Sequence, residues 1–141
     1  MYCDVWTWAG QLRQVELTLG IKWHLISEQV FNLTQDLSIW GTSGMSLIEM
    51  AVRIHHRAVC IHPFMNGNGR WARLLANIWL GLHKSPIVLW PEETIGQESS
   101  IRKDYIKALK TADAGDYGSL LDLHSRYLKQ KVNDLTQNQT L

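Results

Sequence analysis

The chain has 141 residues, enough for one well-buried core and too few for two. Apolar residues make up 45% and charged ones 19%, which excludes a disordered or low-complexity chain. The net charge is +1, but Met50 to Pro91 holds no acid and carries +5 from Arg53, Arg57, Arg70, Arg73 and Lys84. An acid-free middle of this kind suggests an anion-binding centre.

No apolar run approaches the roughly 20 residues of a membrane helix. The opening Met1 to Trp6 lacks the segments of a signal peptide. Two Cys, Cys3 and Cys60, cannot make a disulfide framework, and Cys60 reads as a small core residue. Reduced thiols fit a cytoplasmic location.

Three aromatics in Tyr2 to Ala9 read as a helix end, stopped by Gly10. Val15, Leu17, Leu19 and Ile21 alternate with other residues, which predicts a half-buried strand turning at Gly20. Leu25, Ile26, Val30, Phe31, Leu33, Leu37 and Trp40 have helical spacing, with Ser27 placed to cap. Ser46 opens a helix running to about Ile61, and Pro63 ends it. A helix from about Arg70 carries Leu74, Leu75, Ile78 and Leu82 on one face. Ile87 to Trp90 is short and extended, and Pro91 to Gly96 is loop. Ser99 or Ser100 caps a helix to Thr111, and a last helix spans about Tyr117 to Val132. The expected architecture is mainly α with one small β element, in one domain over 1–132, followed by a polar tail over 133–141.

Chemistry concentrates in His62-Pro63-Phe64-Met65-Asn66-Gly67-Asn68-Gly69-Arg70-Trp71-Ala72-Arg73. Two glycines let the backbone approach a ligand closely. The helix that follows offers free N–H groups and the positive end of its dipole, a ready site for phosphate. Arg70 and Arg73, three apart, would share a face beside it, and guanidinium forks suit phosphate oxygens. His62 at the loop's mouth can serve as a general base. No Lys-Ser/Thr follows the glycines, so this is not a P-loop. His55, His56 and His62 lack a zinc-site spacing, and no Cys or carboxylate is seen to complete one.

The segment resembles the Fic (Fido) signature His-x-Phe-x-Asp/Glu-Gly-Asn-Gly-Arg-x-x-Arg at seven of eight specified positions: His62, Phe64, Gly67, Asn68, Gly69, Arg70 and Arg73. Trp8-Ala9-Gly10-x-x-Arg13 resembles the family's Trp-Ala-Gly segment, and Ala112-Asp113-Ala114-Gly115-Asp116 its later helix end. The Asn66 variant is most similar to a subgroup labelled mobile mystery protein B. The resemblance implies a Fic-type helical bundle with a small β-hairpin flap over the active site. It implies protein AMPylation, the transfer of AMP from ATP to a Ser, Thr or Tyr hydroxyl of a target protein. His62 would take the hydroxyl proton. Gly67, Asn68, Gly69, Arg70 and Arg73 would hold the phosphates, and Phe64 would anchor the loop. The flap residues Thr18, Leu19, Gly20, Ile21 and Lys22 would pair with an extended target segment. Asn77 and Tyr105 could contact the nucleoside, with packing or helix-surface roles the better reading of both.

One position departs from the pattern. Asn66 stands where the family has the carboxylate that holds Mg²⁺, and an amide lacks the charge Mg²⁺ prefers. Mg²⁺ use would be weakened, and a catalytically silent nucleotide- or partner-binding module is the alternative from another class. A Doc-like protein kinase ranks below both, because the loop keeps Gly-Asn-Gly-Arg. Many relatives are blocked by Ser/Thr-x-x-x-Glu-Gly/Asn, whose Glu meets the second Arg. Thr94-x-x-x-Glu98-Ser99 comes nearest and reads better as a helix cap. An antitoxin-like inhibitor is the other route to control. The Trp-Ala-Gly segment begins only at Trp8, so the chain reads as an N-terminally short family core. Trp6 and Trp8 would then need cover from another chain, as in a homo-oligomer, or from a longer natural product. Nucleic acid and membranes are not expected partners.

Overall fold

A computed structural model describes residues 10–128. The expectations for Trp6, Trp8 and the tail over 133–141 lie outside that range. A turn of 3-10 helix at Trp23–Leu25 leads into α1 (Ile26–Thr42). Then come α2 (Leu47–Ile61), α3 (Asn68–Leu82), the single turn α4 (Glu92–Ile95), α5 (Ser100–Asp113) and α6 (Gly118–Arg126). No helix among these is long and apolar enough to cross a membrane.

The central helix is α2, which packs against α1, α3 and α6. Its start is fixed by a capping box: Ser46 Oγ accepts from the Glu49 N–H, and the Glu49 carboxylate accepts from the Ser46 N–H at 2.9 Å. Burial on more than one side follows from its position, so Ala51, Val52, Ile54, His55, Ala58 and Ile61 are all inside. One core gathers Ala51, Val52, Ala76, Leu80, Val88, Trp90 and Tyr105 with the inner faces of α5 and α6. A smaller one joins Ile26 and Leu33 of α1 to Ile61.

Beside the expected loop over Pro91 to Gly96, in which Glu92–Ile95 forms the single turn α4, four expectations change. The inner face of α3 is Ala72, Arg73, Ala76 and Leu80, while Leu74, Ile78 and Leu82 point to solvent. Small buried residues on both helices, Ala51 and Ala58 on α2 and Ala72 and Ala76 on α3, fit the close packing of these two helices. Ser27 lies inside the first turn of α1, which starts from the 3-10 turn with no side-chain cap. The last helix stops at Arg126. Tyr127 there gives its carbonyl to the Leu89 N–H at 2.7 Å, and Leu128 forms an antiparallel bridge with Val88.

The fourth concerns the β-hairpin flap, which is absent among the described residues. Val15 and Leu19 are exposed, and only Leu17 and Ile21 are partly covered. The cause is Arg13, whose guanidinium takes the carbonyls of both Val15 and Ile21 and curls the segment into a loop.

Candidate active site

The turn between α2 and α3 is shaped by its own side chains. Buried Pro63 ends α2, and His62 before it takes the left-handed conformation at φ 52°, ψ 60°. A residue with a Cβ pays roughly 1–2 kcal/mol there, and such strain gathers at functional sites. Asn68 clamps the turn: its Oδ1 accepts from the Phe64 N–H at 2.9 Å and its Nδ2 donates to the Phe64 carbonyl at 2.8 Å. Phe64 in turn stands edge-on to Trp71, with ring centres 5.4 Å apart.

The start of α3 is left open. Trp71 is the first residue to bond back, to the Gly67 carbonyl at 2.9 Å. The N–H groups of Asn68, Gly69 and Arg70 therefore have no acceptor within the helix and lie at its positive end. Gly67 reaches this geometry at φ 78°, and exposed Arg70 curls back over it, so that a methyl on Gly67 would meet Arg70 Nη2 at 3.4 Å.

Arg73 turns inward and is 5% exposed. The expectation that it shares the face of Arg70 fails here. Its Nε donates to Glu92 Oε1 at 2.7 Å, and its Nη2 pairs with Glu92 Oε2. Its Nη1 donates to Tyr105 Oη at 3.4 Å. Behind it runs a buried chain whose protons follow from one fixed end. The Leu120 carbonyl can only accept, so His124 Nδ1 donates to it at 2.8 Å. His124 Nε2 must then accept from His55 Nδ1 at 3.1 Å, and His55 Nε2 accepts from Tyr105 Oη at 2.8 Å. Burial keeps both imidazoles neutral, His124 pulled down to about 4 and His55 well below the usual range. The same burial pushes the Tyr105 phenol up.

His62 meets two elements. Burial pulls its imidazole below the usual histidine range, with Arg13 adding to this and the Val59 carbonyl opposing it. Near neutral pH it is uncharged and can accept a proton. Arg13 is 3% exposed and ties the preceding loop to this turn. Its Nε donates to the His62 carbonyl at 2.7 Å, and its own N–H to the Pro63 carbonyl at 2.8 Å. Gly20 lies against His62: at φ 94°, any added Cβ would overlap His62 Cβ. Of the other flap residues, Thr18, Leu19 and Lys22 are exposed, and Ile21 packs on the core of α1.

The Fic/DOC family pattern matches residues 4–80, more than half of the chain. The chain belongs to the Fic/DOC family. It is 34% identical over 112 residues to protein adenylyltransferase fic-1 of Caenorhabditis briggsae, covering 77% of this chain and 21% of that protein. The chain thus spans about a fifth of the length of that relative. A solved structure of Fic-1 from C. elegans is similar with a TM-score of 0.67 and 30% identity, over 86% of this chain and 34% of that one. BepC from Bartonella tribocorum, solved with bound AMPPNP, shares the fold with a TM-score of 0.63 at 19% identity, over 89% of this chain and 68% of that one.

Within this Fic/DOC site several expected contacts are already engaged. Asn77 donates to the Val88 carbonyl at 2.8 Å and accepts from the Val88 N–H at 2.9 Å. Tyr105 is buried between His55 and Arg73. Both side chains therefore have fold-building roles. Asn66 Oδ1 accepts from the Gly67 N–H at 2.6 Å. That neutral oxygen, with no carboxylate from His62 to Arg73, does not fit Mg²⁺. The acid that meets the second Arg is Glu92, whereas exposed Glu98 faces Lys103 at 3.6 Å. Ser99 caps α5, its Oγ accepting from the Arg102 N–H at 3.1 Å.

The residues the sequence reading passed over are Glu92 and Arg13. Glu92 is the first acid after the acid-free stretch, and its place there was the one available signal. Arg13 is marked only as the last position of Trp8-Ala9-Gly10-x-x-Arg13. Nothing in the sequence marks a basic residue that will be buried by three carbonyls.

Proposed function

We propose that the chain is a protein adenylyltransferase. The observation that carries this is a neutral, strained His62 set beside the open N-terminus of α3. ATP is the donor, and a Ser, Thr or Tyr hydroxyl of another protein is the acceptor. His62 takes the hydroxyl proton, the oxygen attacks the α-phosphorus, and the bond to the departing pyrophosphate breaks. The N–H groups of Asn68, Gly69 and Arg70, with the Arg70 guanidinium, stabilise charge on the phosphate oxygens. Arg73 contributes from behind and holds α4 and Tyr105 against the start of α3. An extended target segment docks along the loop from Thr18 to Lys22, a reading supported by Gly20 lying against His62. The Asn66 variant supports placement with the mobile mystery protein B subgroup.

A second reading is favoured by the same Asn66 and by the Glu92 carboxylate on Arg73: a module that binds nucleotide without turning it over. ATP labelled at the α-phosphate separates the two. Label on protein supports transfer. Label only from the γ position would make the chain a kinase. Bound ATP without label would make it the silent module.

A further inference from the structure

The sequence alone offered no metal cluster among the histidines, because the missing donors come from elsewhere. His56 and Cys60 are one turn apart on α2, and Asp113 ends α5, 53 residues after Cys60. The fold brings one atom of each together. His56 Nε2 lies 2.8 Å from Asp113 Oδ1 and 3.4 Å from Cys60 Sγ, and Cys60 Sγ lies 3.6 Å from Asp113 Oδ1. Around tetrahedral zinc the matching separations are about 3.3 Å for N to O and about 3.5 Å for either to S. Both sulfur separations already match, and the His–Asp pair must open by about half an ångström. Exposed Asp113 can make that adjustment, since its side chain is 60% accessible.

We propose that His56 Nε2, Cys60 Sγ and Asp113 Oδ1 form a site for a late first-row divalent cation, with Zn²⁺ the natural occupant. A thiolate and an imidazole select such a cation over Mg²⁺ or Ca²⁺. Thiolate and carboxylate together cancel its charge. Without a cation the Asp113 carboxylate can only accept, so His56 Nε2–H donates to it and Nδ1 accepts from Tyr117 Oη at 3.4 Å; a cation at Nε2 displaces that proton, and Tyr117 Oη can then accept from Nδ1–H. Arg53 stacks over the Tyr117 ring at 4.5 Å and holds it there. The fourth position faces solvent beside Asp113 and takes water. Without a cation, burial and Asp113 push the Cys60 thiol up to about 11, so it donates to the carboxylate instead. Metal and protons thus compete for the same three atoms. A bound cation ties the last turn of α2, two residues before His62, to the end of α5.

The test uses the full chain, freed of metal by a chelator, with Co²⁺ and Zn²⁺ as probes. One equivalent of Co²⁺ is expected to give a thiolate-to-cobalt charge-transfer band in the near ultraviolet. Cys60→Ser should abolish the band, Asp113→Asn should weaken binding at least tenfold, and Cys3→Ser should leave both unchanged. Zn²⁺ at a hundredfold excess over its dissociation constant should raise Tm by roughly 5–10 °C in the wild type and not in Cys60→Ser. No band in the wild type, a band that survives Cys60→Ser, or an equal rise in Tm for both would overturn the site. Cys60→Ser is close to isosteric, so a folded variant is available to read.

Discussion

Gly20 shows how little freedom the site leaves. It sits against His62 at a backbone angle that favours glycine, so Gly20→Ala must displace the loop or the imidazole. That substitution is expected to destabilise by about 2 kcal/mol and to cut transfer by at least tenfold, as read by denaturant melts and turnover. Asn66 gives a second prediction. Calorimetry of ATP binding should show little effect of Mg²⁺ in the wild type, and a clear strengthening by Mg²⁺ in Asn66→Glu. Equal strengthening in both would remove the argument from the amide. His62 and its glycines were legible because local chemistry names them: a base, a turn and a helix start within twelve residues. Arg13 was not, because its role depends on three carbonyls that only the folded loop assembles.

At the scale of elements, α4 sets the charge at the start of α3, the proposed phosphate cradle. One turn carries no periodic signal, so the sequence predicts loop there, and α4 is held in place by Glu92 reaching back to Arg73. Glu92→Gln would remove the carboxylate that offsets Arg73 and make the start of α3 more positive. ATP binding should tighten about tenfold, or ~1.4 kcal/mol, while the fold loses about 2 kcal/mol of charge-assisted hydrogen bonding. Isothermal titration and thermal melts measure both. Helix starts were readable from Ser46 and Ser99, whose hydroxyls cap α2 and α5. The buried face of α3 was not, because the large apolar residues face outward and alanines face α2.

Over the whole molecule, the buried chain from Leu120 through His124, His55 and Tyr105 to Arg73 joins α6, α2 and α5 to the site. His124 sits at about 4 when folded against an ordinary 6.5. Between those values the unfolded chain binds a proton that the folded chain refuses. Stability is therefore full above pH 6.5 and falls as pH drops toward 4; His124 contributes on the order of 3 kcal/mol to that fall, and His55 adds to it in the same direction. His124→Gln should make that fall shallower in urea melts recorded across the range, with the part due to His55 remaining. The mainly helical bundle was expected from periodicity, whereas this network was not, since its donors lie 50 and 69 residues apart. The acid-free middle predicts an anion-binding centre, and from just beyond it the fold brings Glu92 back onto Arg73.

The central claim is that neutral His62 removes the proton during AMP transfer. The direct measurement is the single-turnover rate of AMP transfer from α-labelled ATP, for the wild type and for His62→Ala at saturating ATP. The account predicts a fall of about 10²–10⁴-fold with ATP affinity unchanged. Transfer that persists at the wild-type rate in His62→Ala would contradict it.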